Sequence, residues 1–524
     1  MKNVPLIFVA VVFGVNLFFP RFLWIQDEAR YGEVTREMVT NGSYMVPTLD
    51  GEFYPDKPPL YFWTLGLQSR LSGMNAFSFR LVTIFSLLGF AAAFFVLARR
   101  LIGESRAVWA VLITLSSMLF LVAGNIIRMD VLLALLVVLS FDSFVRAVDG
   151  ENPLRTYGGY GFGILAVMVK GPLGIVFPLL GAMAYAFLEQ GKKGLARLKL
   201  LHGLGMCLGV AALWSGYLYL SGHRAYLENV VMTQIWGRSV KSWSHPEPVY
   251  FYALVMLPLL MPWLPFLWDG VRLAPKKVKR VAACWFVPGL ILISLISGKL
   301  FIYLLPVFPA VALLIAVALP PPWEEGKWTF RPWQGFVSGG FFILLGAGCF
   351  FALFSRLPQE AGRLTIVAAV PLLLGIGMIL VSLKGQGRRL LWLFLAGSSI
   401  FSWVVFGWGA AQLNDYLSTQ KVGRTLAEAK RVGYKPVTVD LARGTISFYA
   451  GMIMRNISHE ELSRVLDEPG LVAVVVRDKR RDRIAPEDLS RMDLLVRFPE
   501  TQFTGYSVYV EKGEDGSGEG KGKG

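Results

Sequence analysis

Apolar runs long enough to cross a bilayer, about 20 residues each, recur from Pro5 to about Ala410. A segment in hydrocarbon has to satisfy its backbone hydrogen bonds internally, which confines each run to a helix. From about residue 413 the composition turns mixed and polar. With 54% hydrophobic and 17% charged residues over 524 positions, the chain is too apolar for an ordinary water-soluble enzyme. The expected fold is an α-helical polytopic membrane protein with a small C-terminal α/β domain. Its transmembrane domain takes residues 1–412, including a long outer loop, 23–75, with amphipathic helices. The α/β domain takes 413–512, and the Gly-rich "GEDGSGEGKGKG" forms a flexible tail, 513–524.

The spans fall at roughly 5–22, 76–98, 107–123, 131–146, 157–170, 172–188, 203–221, 250–269, 281–297, 300–320, 335–354, 364–383 and 391–411. That makes about thirteen transmembrane helices. The first, "PLIFVAVVFGVNLFFPRFLW", lacks a small-residue cleavage pattern and reads as an uncleaved span.

The net charge of +16 would suit nucleic acid, but the basic residues sit in short connectors rather than on a basic-aromatic face, which excludes that partner. Placing the N-terminus inside puts Arg99, Arg100 and Arg106, then Arg146 and Arg155, "GKKGLARLK", "RLAPKKVKR", Lys327 with Arg331, and "KGQGRR" on the cytoplasmic side, as the positive-inside rule requires. Cys207, Cys284 and Cys349 all lie in apolar runs and read as packing residues rather than disulfide or metal ligands.

The opposite connectors then hold "WIQDEARYGEVTREM", "YPDKPPL", "NIIRMD", "VKGPLG", "WSHPEPVYFY" and "SGKLFIYLLP". Charges at a membrane edge are costly and mark functional candidates. Taken singly, each Lys or Arg would pass for a snorkelling anchor. Together, Arg30, Lys57, Arg128, Asp130, Lys170 and Lys299 describe an outward-facing cationic pocket suited to an anionic lipid head group, above all a phosphate. In the first loop, Asp27 and Glu28 suit a helix N-terminus, and helical spacing puts Asp27, Arg30 and Tyr31 near one another. A surface amphipathic helix is the plainer reading. Pro58 and Pro59 keep Lys57 out of helix, so Asp56 and Lys57 stand on a stiff loop. A carboxylate there suits a divalent cation or acid-base work and the ammonium suits a phosphate, although a surface salt bridge accounts for the pair as well. His245 alone is a weak metal signal.

"DEARYGEVTREMV", "YPDKPPLYFW", "RMD", "KGPLG", "HPEPVYFY" and "GKLFIYLLP", in this order over residues 20–310, resemble the motifs of the bacterial aminoarabinose transferase and protein O-mannosyltransferase-like family, within the C-type glycosyltransferase superfamily. The resemblance implies an inverting, polyprenyl-phosphate-sugar-dependent glycosyltransferase of the bacterial inner membrane, active on the periplasmic side. Undecaprenyl phosphate would carry the sugar, 4-amino-4-deoxy-L-arabinose being one candidate, and lipid A, a glycan or a protein would accept it. By motif position Asp27 is the catalytic carboxylate with Glu28 beside it, and Asp130 is the acid of a second motif. Arg30, Lys57 and Tyr303 would hold the donor phosphate, helped by Tyr54, Lys299 and Arg128. Asp56 and His245 would match a divalent-metal pair, zinc or magnesium, although Asp56 stands where the family often has Glu. For a hydroxyl acceptor Asp27 would be the general base. For a phosphate acceptor, already ionised, it would orient substrate.

The tail reads as strands "KPVTVD", "LVAVVV" and "YSVYVEK" around a helical "HEELSRVLDE", with His459 structural or exposed. A lipid-sugar flippase is the reading of another class, but no internal repeat or midplane charge pattern favours it. The protein is expected to act as a monomer.

Overall fold

A computed structural model describes residues 3–230, 247–296, 298–323, 328, 330–501 and 504–512. The chain forms two compact units. The first comprises Met1–Pro20, Pro55–Gly73 and Phe77–Ala411; the second comprises Arg21–Tyr54, Met74–Ala76 and Gln412–Gly524.

The first unit is helical. Among the described residues, 8 helices are long and apolar enough to cross a membrane, or up to 10 if each of two bent pairs is one span. The chain is thus a multi-pass membrane protein. Each of the expected spans falls on helix, but the count of about thirteen exceeds what length and composition support. Val4–Phe18 and Phe308–Ala318 are apolar but short, and Arg155–Lys170 has only 16 residues. One bend, of 64°, separates Glu104–Ser116 from Met118–Asn125, and one of 103° separates Phe251–Leu259 from Leu264–Leu273. Prolines 258, 262 and 265 crowd the second bend, where they remove helix donors.

Small residues let helices approach closely. A Cβ on Gly339 would come within 2.7 Å of the Gly375 carbonyl oxygen, so helices Pro332–Arg356 and Pro358–Leu383 meet backbone to backbone. Buried polar contacts add direction. Asn16 Nδ2 donates to Asn125 Oδ1 at 2.6 Å and to Ser402 Oγ at 3.0 Å, joining three distant segments. Of the basic connectors, Arg100 pairs with Asp142 at 3.0 Å and with Asp149 at 2.9 Å, while Arg146 pairs with Asp142 at 2.7 Å.

The second unit combines helix Ile25–Asn41, a small hairpin and a five-stranded sheet. The hairpin joins β1 (Thr48–Leu49) to β2 (Glu52–Phe53) through Asp50-Gly51, with φ of 52° and 77°. Asp and Gly both tolerate that left-handed geometry, which matches the strand twist of a two-residue turn.

The sheet strands are β3 (Lys435–Val439), β4 (Arg455–Ile457), β5 (Val472–Arg477), β6 (Met492–Phe498) and β7 (Tyr506–Glu511), in the order β4-β3-β5-β7-β6. β3 runs parallel to both β4 and β5, whereas β7 is antiparallel to β5 and β6. Core residues lie on both faces. Ala473 and Val475 of β5 pack with Val422, Leu426, Tyr506 and Val508. Val472, Val474 and Val476 pack with Val437, Val439, Leu462 and Tyr509. A strand buried on both faces reads as a continuous apolar run, as "VAVVV" does. The three strands and the helix expected in this part of the chain are present, and Ser458 and Glu461 form a capping box at the helix entry.

Candidate functional site

In the second unit, the start of helix Ile25–Asn41 carries the first group of candidates. Asp27 lies 3.7 Å from Arg30, one turn on, and both side chains keep partial access to solvent. Tyr31 instead turns into the core, 2% exposed. Glu28 differs sharply from its neighbour Asp27. Its Oε1 accepts from Arg21 at 2.6 Å and its Oε2 from the Trp24 backbone N–H at 2.7 Å, with both charged side chains buried. An acid in the first turn that takes up a free backbone N–H stabilises the helix start. Both Glu28 oxygens thus hold the helix entry. Tyr54 is buried at the end of the hairpin, its N–H bonded to the Pro47 carbonyl at 2.9 Å.

The first unit holds the remaining candidates. Asp56 and Lys57 occupy a partly exposed turn ahead of helix Leu60–Ser72, which begins only after Pro58-Pro59. Asp130 opens helix Asp130–Val148 and is 1% exposed. Arg128 Nε donates to its Oδ2 at 3.1 Å, and Lys170 donates to its Oδ1. Lys170 closes helix Arg155–Lys170 and lies 4.1 Å from the centroid of the Tyr303 ring. An acid at a helix N-terminus and a cation at a helix C-terminus each match the local dipole. Two cations and one carboxylate meet here beside an aromatic face. Lys299 is buried and donates to the Glu247 carbonyl at 2.7 Å, while Tyr252 donates to the Leu300 carbonyl at 3.3 Å.

Residues of three distant segments, Arg128 with Asp130, Lys170, and Tyr303, are thus brought together. The expected cationic pocket already grouped Lys170 with Arg128 and Asp130, but no sequence signal marked its direct ion pair with Asp130. Of the metal pair, His245 lies outside the described residues. Asp56 offers one carboxylate from the turn before helix Leu60–Ser72.

Residues 56–219 match the family described as dolichyl-phosphate-mannose-protein mannosyltransferase. The chain is 27% identical over 541 aligned positions to the undecaprenyl phosphate-alpha-4-amino-4-deoxy-L-arabinose arabinosyl transferase of Pectobacterium carotovorum, covering 92% of this chain and 95% of the relative. It is 28% identical to the protein of the same name from Pectobacterium atrosepticum, with 90% of each covered. The solved structure of ArnT from Cupriavidus metallidurans bound to undecaprenyl phosphate superposes with a TM-score of 0.78 at 18% identity, over 97% of both chains. The chain thus shares the fold of ArnT and is similar in sequence to the arabinosyl transferases over nearly its whole length.

Proposed function

We propose that the protein transfers a sugar, 4-amino-4-deoxy-L-arabinose as in the names of its relatives, from undecaprenyl phosphate to lipid A, with inversion, at the periplasmic face of the bacterial inner membrane. The observation that carries this reading is the convergence of two cations, Arg128 and Lys170, on Asp130 beside Tyr303. Breaking the sugar-phosphate bond develops negative charge on the phosphate, and fixed cations stabilise that charge most where water is scarce. By their motif positions Lys57 and Arg30 are each assigned to binding of the donor. Asp27, the accessible acid of its pair, is assigned to the acceptor, as base for a hydroxyl or as orienting group for a phosphate. The distribution of basic connectors supports the periplasmic orientation.

The match to mannosyltransferases that act on protein favours a second reading, in which a protein or glycan hydroxyl is the acceptor. Purified protein incubated with radiolabelled undecaprenyl-phosphate sugar, offered lipid A or a peptide, separates the two. Label on lipid A supports the first reading and label on peptide the second. Label that stays on its carrier while crossing a vesicle membrane would sink both.

A further inference from the structure

Three acids in the second unit lie outside the proposed chemistry. Glu33, Glu37 and Asp50 each bring a carboxylate oxygen to within 4.8 Å of the other two. Glu33 and Glu37 are buried one turn apart on helix Ile25–Asn41, and Asp50 is the first residue of the hairpin turn. Arg36 is the cation hydrogen-bonded within the cluster, and it spends its guanidinium on Glu33, with Nε and NH2 on the two oxygens at 2.8 and 2.6 Å. Among these four groups, two negative charges remain over when all three acids are ionised. Asp50 is held by the Gly444 N–H at 2.7 Å and by Ser447 Oγ. Those dipoles fix its direction but add no full charge.

Glu37 supplies the second, separate observation. Its Oε2 accepts from Thr48 Oγ1 at 2.5 Å and from the Gly51 N–H at 3.2 Å. Its Oε1 is buried and has no hydrogen-bond partner among the described residues. A buried carboxylate oxygen without a partner carries a desolvation cost that native structures avoid unless something occupies the position. We propose that Glu33, Glu37 through Oε1, and Asp50 bind a hard divalent cation, calcium in preference to magnesium, which ties helix Ile25–Asn41 to the hairpin. An all-oxygen carboxylate set with no nitrogen or sulfur selects hard cations over zinc. Calcium tolerates irregular ligand positions, whereas magnesium demands near-octahedral geometry. The cation would replace a proton as the occupant of the cluster. Its binding is independent of sugar transfer and is read without it.

The test uses the full-length protein in detergent, stripped with a chelator and dialysed against radioactive calcium. Wild type is expected to take up one ion per chain with a dissociation constant of about 10⁻⁴–10⁻³ M, the range of weak extracellular sites. Glu37→Gln and Asp50→Asn should each weaken uptake by about tenfold or more. Asn-Gly suits the same hairpin turn, so Asp50→Asn keeps the fold if Glu37→Gln does not. Calcium should raise the melting midpoint of wild type and of neither variant, and magnesium should do so less. Equal uptake by wild type and both folded variants would overturn the proposal, and so would no saturable uptake by wild type, which leaves the proton as the occupant. Uptake lost in Asp56→Asn but kept in Glu37→Gln would place the ion on the other loop and overturn it as well.

Discussion

Lys170, the last residue of one helix, donates to Asp130, the first residue of another, although 40 positions separate them in the chain. The contact sets a buried carboxylate between two cations, Lys170 and Arg128. Removing the carboxylate strands both cations, whereas removing one cation leaves the carboxylate paired with the other.

Asp130→Asn should destabilise the protein by about 3–5 kcal/mol, because two cations lose this carboxylate, and Lys170→Met by less, because Arg128 still pairs with Asp130. The double variant should recover part of the Asp130→Asn loss, because it removes one of the two cations that repel each other there. Thermal unfolding in detergent, followed by tryptophan fluorescence, checks the non-additivity. Strictly additive losses would mean the two residues act separately.

Lys57→Ala and Arg30→Ala should weaken binding of undecaprenyl phosphate by about 1–3 kcal/mol each, the scale of a charge-assisted hydrogen bond. Affinity measured at rising salt reads the assignment. Loss of one cation should also flatten the salt dependence, whereas unchanged affinity in both variants removes these residues from the phosphate.

Asp27 and Glu28 should separate cleanly on substitution. Asp27→Asn is expected to abolish transfer to a hydroxyl acceptor while leaving donor binding and the melting midpoint near wild type. Glu28→Gln should lower stability by about 1–2 kcal/mol through the helix entry and the Arg21 pair. Its pH profile of transfer should match that of wild type, since its oxygens face Arg21 and the Trp24 N–H.

Burial pushes the Glu33 carboxyl up from its ordinary value of 4.5 to about 7, against the pull of Arg36 and with help from Glu37 and Asp50. Between those values the folded chain keeps a proton that the unfolded chain has released, so stability falls as pH rises through the window and levels off above it. The full change is on the order of 3 kcal/mol. Melts at low calcium from pH 4.5 to 8 should show this slope in wild type and a flatter profile in Glu33→Gln.

Much of this organisation can be read without coordinates, because helical apolar runs and a doubly buried strand have simple periodic signatures. "VAVVV" was readable as a strand for that reason. The helix breaks were less so. Ser117 interrupts a run whose hydrophobicity never falls, and only the proline-rich "PWLPF" advertised the sharper bend. Asp27 and Glu28 look interchangeable on paper, and only the position of Arg21 separates them. The Asp50-Gly51 turn did carry a signal, the dipeptide most typical of a two-residue hairpin, but it lay among louder motifs. The company that Arg21–Tyr54 keeps with the C-terminal segment is a long-range matter on which local pattern is silent.

β5 is a party wall between two apolar layers, with Ala473 and Val475 serving one and Val472, Val474 and Val476 the other. A layer cannot melt alone while its neighbour keeps that wall standing, nor survive once the wall is lost. The C-terminal sheet should therefore unfold as one cooperative unit, and a cavity opened at Val474 should speed amide exchange in β4 and β6 alike.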